Sequence, residues 1–156
     1  MIARLCKKED KATWVALNKE FIEYETGDNE FWSEAAAVST QKLEETFDAA
    51  MEKEGDILLV LFVHNDKVLG FANIVRFFSV WANGDSLMVD DFFIREEYRH
   101  LGIGRDAIHM IEDYANKNKF RRIQFHAEAN NPEASGFYEA IGFKPADMKF
   151  YMRYIK

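Results

Sequence analysis

An arginine followed by two closely spaced glycines is an arrangement whose chemistry would come as much from backbone as from side chains. Arg99, Gly102 and Gly104 stand in the stretch EYRHLGIGRDAI, Glu97 to Ile108, which takes two of the chain's eight glycines. An apolar run, Phe92 to Ile94, precedes them, and a helical pattern follows. A helix N-terminus offers unpaired N–H groups and the positive end of the helix dipole. Glycines there let a phosphate or another anion approach the backbone, and Arg99 adds charge at the rim. The same glycines also suit a tight turn with no ligand, so this stretch alone leaves both readings open. A phosphate-cradling P-loop needs Lys-Ser or Lys-Thr after its last glycine, and neither follows Gly104. The dinucleotide fingerprint tolerates Ala107 as its third small residue. However, it opens a βαβ unit with a later acidic residue and gives no reason for the arginine.

A second constellation lies downstream in NNPEASGFYEAIGF, Asn130 to Phe143. Asn131 before Pro132 reads as N-cap and first helical residue, and Gly142 as the helix stop. The apolar body of Phe137 suits core packing. The hydroxyl of Tyr138 requires a polar partner when buried. The four histidines, at 64, 100, 109 and 126, lack the spacing of metal ligands, so no metal is predicted.

These residues need elements to hold them. Ile2 to Leu5 reads as a short strand. Trp14, Leu17, Phe21 and Tyr24 mark a helix that ends at Gly27. A loop, GDNEFW, follows, and Leu43, Phe47, Ala50 and Met51 mark a second helix that stops near Gly55. ILLVLFV (Ile57 to Val63) and VLGFANIVRFFSV (Val68 to Val80) flank a HNDK turn and predict a hairpin. ANGD is a further turn, before the strand SLMVDDFFI. After Gly104 a helical stripe runs through Ala107, Ile108, Ile111, Tyr114 and Ala115. Next comes strict alternation from Ile123 to Ala129, then the helix from Pro132, and a last strand MKFYMRYI. Strands joined by one helix are expected to lie parallel and adjacent. The order predicts a single mixed α/β domain over residues 1–156.

Composition narrows the function. Apolar residues make up 48 % of the 156, enough for a core. The formal charge of −7 argues against general nucleic-acid binding and suits a cationic substrate. The longest apolar run is too short to span a bilayer, and the charged N-terminus does not read as a signal peptide. The single cysteine, Cys6, fits a reducing compartment and reads as a small buried hydrophobe. A cytoplasmic location is the expectation.

Together the two constellations resemble the GNAT family of N-acetyltransferases. Its phosphate loop, Gln/Arg-x-x-Gly-x-Gly/Ala, is matched by Arg99, Gly102 and Gly104. Its later Asn-x-x-Ala and Tyr-Glu-x-x-Gly-Phe segments are matched by Asn131, Ala134, Tyr138, Glu139, Gly142 and Phe143. The resemblance covers Leu87 to Phe143, and DDFFIREEYRHLGIG looks most like diamine or polyamine acetyltransferases. It implies a GNAT-like acyl-CoA N-acyltransferase fold with helices on both faces of a mixed sheet. It also implies acetyl-CoA as co-substrate, direct transfer to a primary amine such as a polyamine, and a homodimer.

Residue by residue, the resemblance gives the pyrophosphate to the backbone of Leu101, Gly102, Ile103, Gly104 and Arg105, with Arg99, His100 and Arg105 around it. The pantetheine arm falls to Phe92, Phe93 and Ile94, and to Asn131 and Ala134. An N–H at Phe92 or Phe93 faces the developing oxyanion, and Tyr138 is the general acid. Asp90 is the candidate base or amine ligand, with Asp91 on the opposite parity. His126 and Glu128 share a face of the next strand and form a further candidate pair. Glu23, Glu25, Asp28 and Glu30 are the candidate acceptor-site acids. No covalent acyl-enzyme is expected, and no role for Cys6. A peptide or protein N-acetyltransferase and a non-catalytic acyl-CoA sensor are the alternatives on the same fold.

Overall fold

The computed structural model describes residues 1–26 and 30–155. They fall into two compact units, Met1–Phe125 and His126–Lys156. Gly27 as helix stop and Asp28 as acceptor-site acid lie outside the described residues.

The first unit is built on a five-stranded sheet. Its strands are β1 (Ile2–Leu5), β2 (Ile57–His64), β3 (Lys67–Ser79), β4 (Gly84–Ile94) and β5 (Arg122–Phe125), side by side in chain order. The first four are antiparallel neighbours, while β5 runs parallel to β4. The predicted hairpin closes through Asn65 and Asp66, at φ 49° and 59°. Two left-handed residues in sequence make the turn whose twist matches paired strands. Helices α1 (Lys11–Thr26), α2 (Ser33–Ala36) and α3 (Thr40–Met51) separate β1 from β2, and α4 (Ile103–Lys117) joins β4 to β5.

Strand alternation divides the core. Leu59, Leu61, Phe71 and Phe93 join Trp14, Leu17 and Phe47 of α1 and α3 in one buried cluster. Its rings meet at ordinary aromatic spacing: Trp14 and Phe47 at 5.5 Å, Phe21 and Phe93 at 5.6 Å, Phe21 and Phe71 at 5.8 Å. In α4 the stripe Ala107, Ile108, Ile111 and Ala115 is buried, and Tyr114 stands at its edge. Cys6 sits in the first cluster, where burial pushes its thiol up to about 12. It is a small hydrophobe there, with almost no thiolate to react. Arg4 donates two hydrogen bonds to Asp10, at 2.7 and 2.8 Å, and the Lys7 N–H donates a third. These bonds tie β1 to the turn that starts α1.

One irregularity shapes the sheet beside the apolar run. Asn73 pairs with Asp91 and Ile74 with Val89, so β4 carries one extra residue, Asp90, in a bulge. The parallel ladder with β5 covers Ser86 to Val89 only, whereas β4 runs on to Ile94.

In the second unit, α5 spans Pro132–Ala140. Two expectations are corrected here. The alternation from Ile123 predicts a strand through Ala129, but β5 stops at Phe125, and a turn closed by Asn131 N–H on the Glu128 carbonyl, 2.9 Å, follows. His126 and Glu128 therefore do not share a strand face; the His126 ring lies against Phe150 instead. The last segment, MKFYMRYI, also carries no strand among the described residues, and Met148, Tyr151 and Ile155 are exposed. Alternation shows that a segment can be extended; a strand also needs a neighbour's ladder, which a single-segment pattern does not supply.

Candidate active site

The stretch that posed the question turns out as a strand end, a short turn and a helix start. After Ile94 the chain makes a 3-10 turn over Glu96–Tyr98, with Tyr98 N–H on the Arg95 carbonyl at 2.9 Å. His100 and Gly102 are left-handed, at φ 58° and 81°. Histidine is among the non-glycine residues enriched there, and glycine pays no steric cost. Gly102 is the N-cap of α4, and the Asp106 N–H donates to its carbonyl at 3.1 Å.

The two glycines therefore have different reasons. Gly102 supplies the backbone conformation. Gly104 lies inside the helix, which begins at Ile103, one residue before it rather than after it. In that position glycine costs about 1 kcal/mol relative to alanine. Helical geometry does not ask for a glycine there. No side chain caps the first turn, because the N-cap is glycine, and a Cβ built at Gly102 has nothing within 4 Å. N–H groups at the start of a helix, open space before them and small residues around them fit an anionic phosphate group.

Arg99 is held from two sides. Its Nε donates to the Ile94 carbonyl at 2.8 Å, and its guanidinium lies 4.1 Å from the Tyr24 ring centre and 5.3 Å from that of Phe93. It therefore fixes the end of β4 against α1 as well as bringing charge. Arg105 is exposed on the first turn of α4. Arg95 secures the same corner, forking onto Glu20 at 2.8 and 3.0 Å.

The ladder also sorts the three residues of the apolar run. Arg95 N–H donates to the Leu69 carbonyl, 2.9 Å, and Phe71 pairs with Phe93 two residues before. In an antiparallel pair, hydrogen-bonded positions alternate, so the peptide groups of Phe93 turn toward β3. Those of Phe92 and Ile94 turn to the other side, where β5 has ended. The Phe93 side chain is buried against Phe21 and Tyr24, and the Phe92 ring packs on Phe62 and Phe125.

Asp90 and Asp91 lie in different surroundings. Asp90 is exposed at the bulge. Asp91 faces α1 and enters a chain of polar contacts that sequence reading missed. Trp14 Nε1 donates to Asn73 Oδ1 at 2.9 Å; Asn73 Nδ2 donates to Asp91 Oδ2 at 2.7 Å and to Asn18 Oδ1 at 3.0 Å; Asn18 Nδ2 donates to the Trp14 carbonyl at 2.7 Å. Burial, reinforced by the nearby charges of Asp90 and Glu25, lifts the Asp91 carboxyl to about 6, against the opposing hydrogen bond from Asn73. The available signal was an asparagine within the otherwise apolar GFANIV of a buried strand. Of the acceptor-site acids, Glu25 is thus near Asp91, Glu23 is exposed on α1, and Glu30 begins the turn before α2.

Asn131, Ala134 and Tyr138 all lie in the second unit. Asn131 caps α5 as expected, its Oδ1 accepting from the Ala134 N–H at 3.1 Å. Tyr138 is half-buried between the rings of Phe137 and Phe143, at 5.4 and 6.3 Å. Among the described residues, no group of three or more His, Cys, Asp or Glu is placed to hold a metal ion.

A bulged strand that outruns its parallel neighbour, followed by an uncapped helix start, is a scaffold for an extended ligand with an anionic end. Residues 14–143 match the Acetyltransferase (GNAT) family, and the chain belongs to that family of acetyltransferases. It is 24 % identical over 144 residues to an uncharacterized N-acetyltransferase of Bacillus subtilis (strain 168), YhfO, covering 92 % of this chain and 90 % of that one. Among solved structures it resembles an integron cassette protein from the mobile metagenome of V. cholerae (TM-score 0.78, 25 % identity, 99 % of this chain and 92 % of that one). An aminoglycoside acetyltransferase from an uncultured soil metagenomic sample, in complex with sisomicin, shares the fold (TM-score 0.74, 11 % identity, 99 % and 95 % covered).

Proposed function

We propose that the chain moves an acetyl group from acetyl-CoA directly to a primary amine of a small polycationic molecule of the polyamine kind. The observation that carries this reading is the placement of Asp90, Asp91 and Glu25 around the same strand end that leads into the helix start of α4. A cationic amine is drawn to that acidic end, while the anionic end of the thioester donor belongs at the helix N-terminus.

In this reading the N–H groups of Leu101 to Arg105 hold the pyrophosphate, with Arg99, His100 and Arg105 around it. Phe92 and Ile94 offer peptide groups to the pantetheine arm, and the Phe93 side chain supports them from the core. Asn131 and Ala134 contribute from the start of α5. In the same reading the Phe92 N–H donates to the developing oxyanion. Tyr138 donates the proton of its phenolic O–H to the departing sulfur. Asp90 receives a second ammonium of the acceptor.

The test is coenzyme A release from acetyl-CoA across polyamines, amino acids, aminoglycosides and peptides. Polyamines are expected to be the best acceptors. Release only with peptides moves the acceptor to a protein or peptide terminus. Acetyl-CoA binding without release for any amine points to a sensor. Tyr138→Phe is expected to lower kcat about 10- to 100-fold while leaving acetyl-CoA affinity within about twofold; an unchanged kcat removes Tyr138 as the acid.

A further inference from the structure

Asn73 is an amide in the middle of a buried strand, and its three hydrogen bonds leave it one orientation. Trp14 Nε1–H can only donate, so the atom facing it must be the Asn73 oxygen. The Nδ2 group is thereby aimed at Asn18 Oδ1 and at Asp91 Oδ2. Asn18 is itself fixed by its bond to the Trp14 carbonyl within α1. The arrangement joins α1, β3 and β4, and it ends on one oxygen of a carboxylate. A second copy of this interaction elsewhere would be structural glue; here its terminus is the half-buried acid beside the bulge of β4.

We propose that Asp91 is the group that accepts the proton of the incoming ammonium, and that Asn73, oriented by Trp14, is the positioning residue that holds one carboxylate oxygen and leaves the other to the amine. This deepens the acetyl-transfer reading and rests on it. The Asp91 carboxylate takes one proton from the ammonium and becomes a carboxylic acid, and the nitrogen gains a lone pair. That pair bonds to the thioester carbonyl carbon, and the carbon–sulfur bond breaks. Tyr138 gives its proton to the departing sulfur, which ends as the thiol of coenzyme A; the nitrogen's second proton, shed on forming the amide, restores the tyrosine, and Asp91 returns its proton to water.

The charges bearing on Asp91 are Asp90 on its own strand and Glu25 on α1; β3 contributes the neutral Asn73, and α1 the neutral Asn18 and Trp14. Like charges and burial hold the proton on, whereas the Asn73 bond favours the ionised form. Removing that bond must therefore move ionisation to higher pH.

The experiment has two readouts. The first is kcat/KM against pH for the best acceptor of the amine panel, in wild type, Asp91→Asn, Asn73→Ala and Trp14→Phe. The second is a 13C-NMR titration of the aspartate carboxyls in the free protein, with Asp91→Asn giving the assignment. In the wild type, kcat/KM is expected to rise with the ionisation of Asp91, at the midpoint that NMR reads. Asp91→Asn is expected to lower kcat about 100-fold or more and to abolish that limb. Asn73→Ala is expected to shift both midpoints upward by about one pH unit. Trp14→Phe keeps an aromatic ring in the core, removes the donor that orients the amide, and is expected to shift them in the same direction by less.

A drop in activity with an unmoved limb in both Asn73→Ala and Trp14→Phe makes their role structural and overturns the proposal. So does Asp91→Asn with the limb intact. In either case turnover by the wild type leaves the acetyl-transfer reading standing. A wild type that acetylates no amine removes that reading and the base with it, whatever the NMR midpoints.

Discussion

At the scale of single residues, the Asp91 carboxyl bears on stability whatever its part in the chemistry. Its carboxyl ionises near 6 in the folded chain, against an ordinary value near 3.9. A raised folded value means that the native state holds its proton more tightly than the unfolded chain does. The contribution is therefore complete below about pH 4 and is lost as pH rises toward 6, at a cost of up to about 3 kcal/mol above that. Asp91→Asn retains an acceptor for Asn73 and removes the buried charge. It is expected to stabilise the fold at pH 7.5 by about 1–3 kcal/mol in urea unfolding, with the gain vanishing near pH 4. A loss at pH 7.5, or a gain that ignores pH, contradicts this. Asp10 has the opposite sign. Its hydrogen bonds with Arg4 hold its carboxyl below the ordinary range, so its contribution persists above that range and fades as the solution is acidified. Asp91 was hard to read in the sequence for a physical reason. Parity places it on the face opposite Asp90, but what waits on that face is Asn73 and, from far upstream, Asn18 and Trp14.

At the scale of elements, the β3–β4 pair positions the site, and Gly70 permits its closeness. A Cβ there would collide with the Phe93 carbonyl oxygen and press on Ile94. Gly70 has no positive φ, so an alanine would ordinarily be neutral or helpful in this strand. The collision reverses the sign. Gly70→Ala is expected to cost about 2 kcal/mol or more in urea unfolding and to raise KM for acetyl-CoA several-fold, since the backbone that must give way is that of Phe93 and Ile94. Gly136 is the control: it lies within α5 with nothing within 4 Å of a built Cβ, so Gly136→Ala is expected to gain up to about 1 kcal/mol. Equal effects at the two positions would refute the packing argument. The β2–β3 hairpin and helices α1, α3, α4 and α5 were legible because each follows from local pattern and turn chemistry, as Asn65-Asp66 illustrates, whereas the four-residue α2 is too short to show a period. The bulge at Asp90, the end of β5 at Phe125 and the need for glycine at 70 depend on which strand lies alongside, and local pattern is silent on that. Arg99 and the two glycines were legible as a group, but only the backbone separates their tasks: a stacked anchor, a left-handed cap and a bare helix turn.

For the whole molecule, the family match runs from residue 14 to 143 and so crosses the division at Phe125, drawing the helix start of α4 and the cap and tyrosine of α5 into one signature. No helix among the described residues is long and apolar enough to cross a membrane. The chain carries a net charge of −7, yet the proposed reaction joins a cation to an anionic donor. The two substrates must therefore feel the protein's field with opposite signs. On the proposed reading, the acidic surface would speed the arrival of a polyamine and slow that of acetyl-CoA, which would depend on Arg99, Arg105 and the α4 N-terminus for local attraction. Salt shortens the reach of both effects to a few ångströms beyond contact. Raising ionic strength from about 20 to about 300 mM is expected to lower kcat/KM for the amine several-fold and to leave kcat/KM for acetyl-CoA level or higher. Initial rates at subsaturating amine with saturating acetyl-CoA, and the reverse, separate the two. A parallel fall in both would mean that neither the net charge nor the acidic cluster guides the acceptor, and that the amine is recognised by contact alone.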